Sequence, residues 1–432
     1  MFRESATSFE IARDLGVVDA DGLARASRSS DGRHFLFVSA PFGPFCRELA
    51  EALRESGARS TRVILNAGDA LDWGVTSAAT YFGGRSGWTG WLYQQIRRLG
   101  VTDIVTYGDS SPYAVDALIL AQSLGLRRHV LEQGYFRPDW VTLERDGVNG
   151  NSRLPRNPEW YLRHAAARDD APAAEQRVGL TTPSAVYLIV RHHAAIYAGA
   201  LLFPRYRAAY QHSAFRQAMS HCWRFVVGRL KAERARRAHE ALVATSGPIF
   251  LALLQRPGDS QLWRHSNYET AGDFVEHVVT SFAAHAPDEA QLVIRPHPLD
   301  PGLDDHGAMI TRIAAREGVA GRVHYLDHGK LHEVLPRVEA VVCVNSTAGL
   351  SAVEFGKPTV TLGKAIYDMA GLTHQGGLDR LWTNPEAPDA ELYDAFRRVL
   401  MATSQVNGAY ATPFGRRLAA GEMSRRLMRA VA

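Results

Sequence analysis

The chain has 432 residues, of which 46% are hydrophobic and 22% are charged. This composition is typical of a globular protein, and it excludes a mainly disordered, collagen-like or coiled-coil chain. The net charge of +4 is too small to indicate a nucleic-acid-binding protein by itself. The length favours two domains.

Cysteine spacing and the N-terminal sequence point to a cytoplasmic protein. Cys46, Cys222 and Cys343 are too far apart to indicate a disulfide framework or a zinc site, which favours a reducing compartment. Residues 1–32 are mostly polar, lack an apolar run of the signal-peptide type, and are predicted to form a loosely attached extension. Since no stretch of about 20 uncharged apolar residues occurs, we expect no membrane-spanning helix.

In the first part of the chain, short apolar runs alternate with segments of helical periodicity. This order of strand, loop, helix and strand favours a parallel sheet. We therefore predict a first doubly wound, Rossmann-type α/β domain at 33–165. Its predicted strands are 34–40, 61–68, 101–109 and 127–134, and its predicted helices are 45–57 and 112–125.

The same order returns later and predicts a second doubly wound domain at 246–385, followed by C-terminal helices at 386–432. Two such domains facing a cleft would form the GT-B arrangement of many glycosyltransferases. Ligands of open α/β sheets bind beyond the carboxyl ends of the strands, so functional residues should follow strands directly. The predicted strands of this domain are 248–255, 291–298, 322–328, 339–345 and 358–363, and its predicted helices are 274–286 and 346–356.

Between the two domains, residues 166–245 form a basic helical segment. From 187 to 237 it carries ten Lys or Arg residues and one acid. Within 215–230 the apolar residues share one helical face, which is typical of a helix lying at a membrane surface with its basic side at the headgroups. The alternative is a pair of ordinary helices with a solvated basic rim. The basic residues off the apolar face are Arg216, Arg224, Lys231 and Arg234.

The motif Arg-Pro-His-Pro at 295–298 follows a predicted strand of the second domain. The two prolines stiffen the loop and fix the direction of the histidine ring. Arg295 and His297 could hold a phosphate, and the imidazole could protonate a phosphate leaving group. The alternative is an ordinary structural histidine.

The run Asn-Ser-Thr-Ala-Gly at 345–349 follows another predicted strand and opens a helix. Ser346 or Thr347 would cap that helix, and the free N–H groups at its start would bind an anion. Gly349 would allow a ligand to approach closely, and Glu354, two turns along, would either accept ribose hydroxyls or be a surface charge. Plain N-capping is the alternative for this run.

In the first domain, Glu132 ends a predicted strand and is a candidate nucleophile or base. Four further loop residues could face the cleft or an acceptor, although turn formation is the alternative interpretation for such loop positions. These residues are Gly43, Asp69, Asp109 and Arg137.

Seven longer stretches contain these loops and cover, in order, most of 34–160 and 249–384. They are FLFVSAPFGPFCRELAEAL, NAGDALDW, YGDSSPY, EQGYFRPDWVTLERDGVNGNS, LLQRPGDSQLWRHSNY, IRPHP and VNSTAGLSAVEFGKPTVTLGKAIYDMAGLTHQGGLDRLW. Together these stretches resemble the bacterial capsular-polysaccharide synthesis proteins of the KpsS/LipB type.

The resemblance implies a GT-B-like transferase of Kdo (3-deoxy-D-manno-oct-2-ulosonic acid), related to bacterial sialyltransferases, with CMP-β-Kdo as donor. It implies that the first β-Kdo is placed, with retention of configuration, on a phosphatidylglycerol-type lipid at the inner membrane. The implied partners are a second Kdo transferase, which extends the linker, and the ABC exporter of the capsule. We expect no cofactor, because CMP is already a good leaving group, and no metal, because no Asp-x-Asp motif follows a strand.

The resemblance also implies roles for particular residues. Residues 297–298 match an HP motif that meets the CMP phosphate, and residues 346–347 match a Ser/Thr motif that binds phosphate. Glu132 matches the first acid of an acid-acid-glycine motif at the catalytic centre, whereas Gln133 replaces the second acid. A carboxylate at this position would suit retention by double displacement.

Two other functions remain open from the sequence. One is a GT-B glycosyltransferase or epimerase that uses a UDP-sugar, since such enzymes also have a Ser/Gly-rich helix start followed by a glutamate. The other is a non-catalytic subunit that docks the capsule machinery on the membrane, which the loss of an acid at Gln133 would suit.

Overall fold

The computed structural model describes residues 32–167, 175–179, 181–207, 219, 247–256, 260–298, 300, 302–327 and 331–429. The predicted extension at 1–32 lies outside these ranges, apart from residue 32. The four predicted membrane-contact residues also lie outside them. Those four are Arg216, Arg224, Lys231 and Arg234.

Strands and helices alternate through most of the described part of the chain. The strands are β1 (His34–Phe37), β2 (Arg59–Ile64), β3 (Ala78–Thr80), β4 (Asp103–Tyr107), β5 (Arg127–Gln133), β6 (Trp140–Arg145), β7 (Ile249–Leu253), β8 (Gln291–Arg295), β9 (Val323–Tyr325), β10 (Ala340–Cys343), β11 (Thr359–Thr361) and β12 (Gln405–Asn407). The helices are α1 (Phe45–Glu55), α2 (Ala67–Trp73), α3 (Trp88–Leu99), α4 (Pro112–Ser123), α5 (Pro158–Ala166), α6 (Thr181–Ala198), α7 (Ser260–His265), α8 (Ala271–His285), α9 (His306–Arg316), α10 (Leu331–Val334), α11 (Thr347–Glu354), α12 (Leu378–Leu381), α13 (Ala390–Thr403) and α14 (Pro413–Met428).

The chain divides into two compact α/β units, each with its own sheet. Unit 1 comprises residues 1–153, 172–209 and 400–432, and unit 2 comprises residues 154–171 and 210–399. The sheet of unit 1 has the order β12-β6-β5-β4-β1-β2-β3, and that of unit 2 has the order β11-β10-β7-β8-β9. The second sheet is parallel throughout, whereas β6 and β12 are antiparallel to their neighbours in the first.

Both sheets are covered on both faces, as the prediction of two doubly wound units requires. In β1, Phe35 and Phe37 belong to the core on one face, whereas Leu36 belongs to the core on the other. In β7, Phe250 and Leu251 divide between two cores in the same way. Side chains alternate between the faces of a strand, so a strand buried on both faces reads as a continuous apolar run.

The units differ from the predicted domain boundaries at both ends of unit 2. The predicted C-terminal helices at 386–432 are split, because β12 pairs with β6 and residues of α14 share a core with residues of α1, which places 400–432 in unit 1. Helix α5 instead belongs to unit 2, where the ring of Tyr161 lies 5.0 Å from that of Phe396. These are contacts between distant parts of the chain, which local patterns do not encode.

Helix α6, the described start of the predicted basic segment, is fixed to unit 1 by a buried carboxylate. Asp72 accepts hydrogen bonds from Nδ1 of His192 (2.7 Å), from the N–H of Gly43 (2.9 Å) and from Nη2 of Arg191. Burial would raise the pKa of Asp72, but these three donors lower it below its ordinary value. This part of the segment is therefore packed on the domain along one face.

No helix in the described part of the chain combines the length and the hydropathy that crossing a membrane requires.

Asp103 is a second buried carboxylate of unit 1, at the amino end of β4. It is fully buried and accepts hydrogen bonds from Arg33, Arg127 (3.0 Å from Nε) and His129 (2.7 Å from Nε2). Burial would raise the pKa of Asp103, but the hydrogen bonds and charges of His129 and Arg33 hold it far below its usual range. Arg33 also donates to the carbonyl of Leu427, so this cluster ties α14 to the sheet.

We expect Asp103→Asn to lower the free energy of unfolding by about 3–5 kcal/mol, because it leaves buried cations without their counter-charge. Urea unfolding followed by circular dichroism would measure the change. The matched control is Asp116→Asn, which breaks a partly exposed ion pair with Arg85 and should cost less than about 1 kcal/mol. Equal losses in the two variants would contradict a stabilising role for the buried cluster.

Candidate functional site

In unit 2, three neighbouring parallel strands bring three polar residues together at one edge. Leu253 of β7 is in register with the last residues of β8 and β10 on its two sides. Two residues further on, the chain reaches Gln255, His297 and Asn345, respectively. Because parallel strands end at the same edge, these residues follow three neighbouring strand ends, where ligands of open α/β sheets bind.

Gln255 is the member of this group that the sequence analysis did not select. Its Nε2 donates a hydrogen bond to Oδ1 of Asn345, and it is 8% exposed. Its Oε1 is buried and accepts no hydrogen bond from the described residues. A buried carbonyl oxygen without a donor carries a desolvation penalty that a ligand N–H or O–H would remove. The one available sequence signal was its position just after a strand.

The loop that carries His297 is held by a backbone hydrogen bond and by a buried contact between Asp300 and His306. The carbonyl of His297 accepts a hydrogen bond from the N–H of Asp300 (2.9 Å), and Asp300 is 1% exposed. Oδ2 of Asp300 lies 3.0 Å from Nε2 of His306, the first residue of α9. Arg295, the last residue of β8, is also buried, and burial lowers its pKa while the charges of Glu333 and Asp327 oppose that shift. The predicted phosphate-binding loop is thus anchored at both ends.

Helix α11 begins as predicted, with Ser346 at the N-cap. Oγ of Ser346 accepts a hydrogen bond from the N–H of Ala348 (3.1 Å), and Ser346 and Thr347 are half-buried. Eight residues give a helix dipole whose positive end lies at this partly accessible start. An anion could reach this start, as the sequence analysis predicted.

Gly349 and Glu354 have structural surroundings that the sequence did not indicate. A Cβ added to Gly349 would lie 2.5 Å from Sγ of Cys343 and closer still to Oη of Tyr367, so the glycine is required for packing inside the unit. Glu354, the last residue of α11, is exposed and lies beside Tyr393. Burial raises the pKa of Tyr393, and the charge of Glu354 raises it further. Gly349 therefore lies in the first turn of α11 but faces the interior of the unit, and Glu354 lies at the other end of the helix.

In unit 1, Glu132 lies at the carboxyl end of β5, as predicted. The residue is partly buried, and its Oε1 accepts a hydrogen bond from the N–H of Gln133 (2.8 Å). The backbone carbonyl of Glu132 accepts a hydrogen bond from Oη of Tyr410 (2.9 Å), a residue contributed by the C-terminal part of the chain. A Cβ on Gly108, just beyond β4, would lie 3.4 Å from Oε2 of Glu132. The carboxylate therefore sits between two strand ends, with part of its surface accessible.

Gly43 and Asp69 are predicted to face the cleft or an acceptor. Their contacts within unit 1 account for both residue types without a ligand. A Cβ added to Gly43 would lie 2.8 Å from Leu188, and its φ of +100° favours glycine, so this residue lets α6 pack closely. Asp69 accepts hydrogen bonds from Arg62 (2.8 Å) and from the N–H of Leu65 (3.1 Å).

Asp109 and Arg137 differ from each other in accessibility. Asp109 is buried and accepts hydrogen bonds from the N–H of Val148 (3.1 Å) and from Nδ2 of Asn151 (2.9 Å). Arg137 is exposed, with Nε donating to the carbonyl of Gly134 (3.2 Å). Of these two predicted residues, Arg137 is the one whose head group faces solvent.

Glu144 is a buried acid of unit 1 that sequence reasoning missed. It lies on β6, is 8% exposed, and accepts hydrogen bonds from Oη of Tyr135 (2.8 Å) and from Oγ of Ser152. Burial raises the pKa of Glu144 to about 7, and the charge of Asp109 contributes in the same direction, although the two hydrogen bonds oppose it. Its sequence context, between a leucine and an arginine, gives no signal of burial.

We expect Glu144 to make unfolding pH-dependent. Its folded pKa of about 7 exceeds its unfolded value, so its contribution to stability is complete below the unfolded pKa and disappears as the pH rises through about 7. As the pH rises from 5 to about 8, the free energy of unfolding should therefore fall less in Glu144→Gln than in the wild type. Melting temperatures across this range would test it, with Glu159→Gln, at the start of α5, as the control. Parallel pH profiles for wild type and Glu144→Gln would contradict the assignment.

Within the described ranges, no group of three or more His, Cys, Asp or Glu side chains is placed to hold a metal ion.

Sequence comparisons identify relatives over most of the chain. Residues 102–410 match a family model described as capsule polysaccharide biosynthesis protein. The chain is 32% identical over 387 residues to the capsule polysaccharide export protein KpsS of Escherichia coli, and the match covers 88% of this chain and 97% of that protein. It is 31% identical to the capsule polysaccharide modification protein LipB of Neisseria meningitidis serogroup B, over 87% of this chain and 91% of that protein.

Comparison with solved structures finds more distant likenesses. The β-Kdo 2,7-transferase of KpsC from Thermosulfurimonas dismutans matches with a TM-score of 0.44 and 12% identity, over 92% of this chain and 98% of that chain. HepE from Anabaena, in complex with UDP and glucose, matches with a TM-score of 0.31 and 13% identity, over 92% of this chain and 96% of that chain. Assignment to a family depends on the sequence matches.

Proposed function

Because this chain belongs to the family of capsule polysaccharide biosynthesis proteins, we propose that it is a retaining glycosyltransferase that takes Kdo from CMP-β-Kdo. The proposed acceptor is a phosphatidylglycerol-type lipid, and the product would start the poly-Kdo linker of a capsular polysaccharide. The observation that carries this proposal is the group of Gln255, His297 and Asn345, which follow three neighbouring strand ends next to the start of α11.

The edge of unit 2 has the donors that a nucleotide phosphate needs. Arg295 and His297 supply cationic or N–H groups, and the start of α11 supplies backbone N–H groups with a favourable dipole. As the bond between Kdo and CMP breaks, negative charge grows on the CMP phosphate, and donors fixed in place lower the barrier to that step. The backbone hydrogen bond from Asp300 and the buried contact of Asp300 with His306 would keep the loop of His297 in position, so that little reorganisation is needed.

Glu132 is the proposed nucleophile. In the first step, its carboxylate would form a bond to the anomeric carbon of Kdo while the bond to CMP breaks. In the second step, an acceptor hydroxyl would displace Glu132 and lose its proton, so that two inversions give net retention. A partly buried carboxylate at a strand end suits this role, because part of its surface is open to a sugar.

The proposed location is the cytoplasmic face of the inner membrane, to which the basic segment at 187–237 would bind. This would place the enzyme next to its lipid acceptor and to its proposed partners, a second Kdo transferase and the capsule exporter. The lipid-facing role of Arg216, Arg224, Lys231 and Arg234 stays a prediction.

Glu132→Gln should abolish transfer while CMP binding persists, because the amide has the same size but cannot act as a nucleophile. Transfer would be measured by mass spectrometry of the lipid after incubation with CMP-Kdo, and binding by calorimetry with CMP. Glu51→Gln, on the exposed side of α1, is the matched control and should retain full activity. If Glu132→Gln transfers Kdo at the wild-type rate, Glu132 is not the nucleophile.

His297→Ala should reduce transfer by roughly 10²–10³-fold, because it removes a group that stabilises charge on the departing phosphate. The melting temperature should stay near that of the wild type, since the buried contact between Asp300 and His306 in the loop is untouched. His285→Ala, on the exposed surface of α8, is the control. The same assay run with a UDP-sugar would test the competing donor class, and turnover of that donor but not of CMP-Kdo would refute the proposed substrate.

A further inference from the structure

Unit 1 contains a cavity of about 450 Å³ at which the starts of three helices meet. Pro44 precedes α1, Pro183 lies in the first turn of α6, and Pro413 begins α14, and all three line the cavity. Helix α1 begins without a side-chain cap, so its first N–H groups depend on solvent or on a ligand. The three helix dipoles place their positive ends around one cavity.

Two arginines also line this cavity, and each is held by a carboxylate. Arg416 donates from Nε to Glu48 (2.9 Å) and from Nη1 to the carbonyl of Ala411 (2.9 Å), which leaves Nη2 without a partner in the described part of the chain. Arg191 donates from Nη2 to Asp72, and its Nε is buried with no acceptor among the described residues. Each guanidinium is therefore held by a carboxylate, and Arg416 retains an N–H for an anion.

The surface beside the cavity is apolar. On α6 and just beyond it, Val186, Tyr187, Val190 and Leu201 are between 54% and 94% exposed. No Asp or Glu occurs between 181 and 207, although Arg205 and Arg207 do. An exposed apolar face of this kind next to cationic groups fits an amphiphile with an anionic head better than a free phosphate, which would leave that face in water.

The cavity is connected to the candidate nucleophile within the same unit. Ala411 lines the cavity, and the residue before it, Tyr410, donates its hydroxyl to the backbone carbonyl of Glu132. The ring of Tyr410 also lies 4.7 Å from that of Phe45, the first residue of α1. The side chain of Tyr410 therefore links the strand end that carries Glu132 to the backbone next to the cavity.

We propose that this cavity binds the phosphate of an anionic phospholipid, with the acyl chains lying along the exposed face of α6. The assignment of this lipid as the acceptor rests on the proposed function, whereas the binding site itself does not. The residues that line the site all belong to the described part of the chain, and they do not include Arg216, Arg224, Lys231 or Arg234.

The test uses a short-chain lipid in monomeric form, so that general attraction of the basic segment to an anionic surface does not contribute. Calorimetry would measure binding of dihexanoyl phosphatidylglycerol to the full chain without donor. Ser184→Glu adds a negative charge to the cavity lining without removing an internal hydrogen bond, and Thr182→Glu adds the same charge at an exposed position of the same turn. Both substitutions place an acid at a helix start, where the dipole tolerates it.

We expect Ser184→Glu and Arg416→Gln to weaken binding at least ~10-fold, and Thr182→Glu to change it little. Melting temperatures would show that each variant is folded. Dihexanoyl phosphatidylcholine should bind more weakly than the phosphatidylglycerol. Equal binding by wild type and Ser184→Glu would overturn the site, and so would equal binding of the two lipids.

Two further measurements distinguish a lipid from a free phosphate as the ligand, and separate lipid binding from Kdo transfer. Glycerol 1-phosphate and inorganic phosphate should compete only weakly with the lipid. The double variant Val186→Ser/Val190→Ser should bind the lipid more weakly, but it should bind the two small phosphates as the wild type does. If the small phosphates bind as tightly as the lipid, the cavity takes a free phosphate and the lipid proposal fails. Loss of lipid binding in Ser184→Glu, with no Kdo transfer by the wild type, would support the cavity and reject the proposed function.

Discussion

The parallel register of β7, β8 and β10 is the constraint on which the candidate donor site depends. Because Leu253 is aligned with the last residues of both neighbours, the residues two positions further on are forced into one row. Gln255, His297 and Asn345 are far apart along the chain, but each follows by two residues the end of a strand that lies about 5 Å from its neighbour. A one-residue slip in either pairing would turn one of them toward the core.

Buried carboxylates have a corresponding role in unit 1. Asp103 anchors the amino ends of the strands and, through Arg33, the last turn of α14. Asp72 anchors α6 and the loop of Gly43 on the opposite, carboxyl side. Both acids have pKa values below the ordinary one despite burial, because several donors compensate for the loss of water. The unit thus has fixed points at both edges, which keep its site loops in place.

The proposed acceptor cavity follows from the second of these fixed points. Asp72 holds Arg191 and orients α6 so that one face packs on the unit and the other stays exposed. Glu48 holds Arg416 in position by accepting a hydrogen bond from its Nε. A guanidinium held by one carboxylate loses little conformational freedom when it binds an anion, so positioned arginines bind phosphate better than mobile ones. The same contacts that stabilise the fold therefore prepare a binding site.

Local sequence patterns predicted the alternation of strands and helices, the strand ends that carry Glu132 and His297, and the helix start at Ser346. These features depend on periodicity and capping, which act over a few residues. The patterns did not predict that Gly349 is a packing residue, that Glu144 is buried with a raised pKa, or that Gln255 joins the site. Each of these depends on neighbours supplied by distant parts of the chain.

The sequence by itself determined the fold class, the two sheets and the family, because apolar periodicity and long matching stretches are properties of the chain alone. Only the tertiary structure decided that residues 400–432 complete unit 1 and that 154–171 join unit 2. It also decided which polar groups meet at a strand edge and which arginines line a cavity. The physical reason is that burial, pairing and electrostatic environment arise from contacts between residues far apart in the sequence, and no local pattern specifies them.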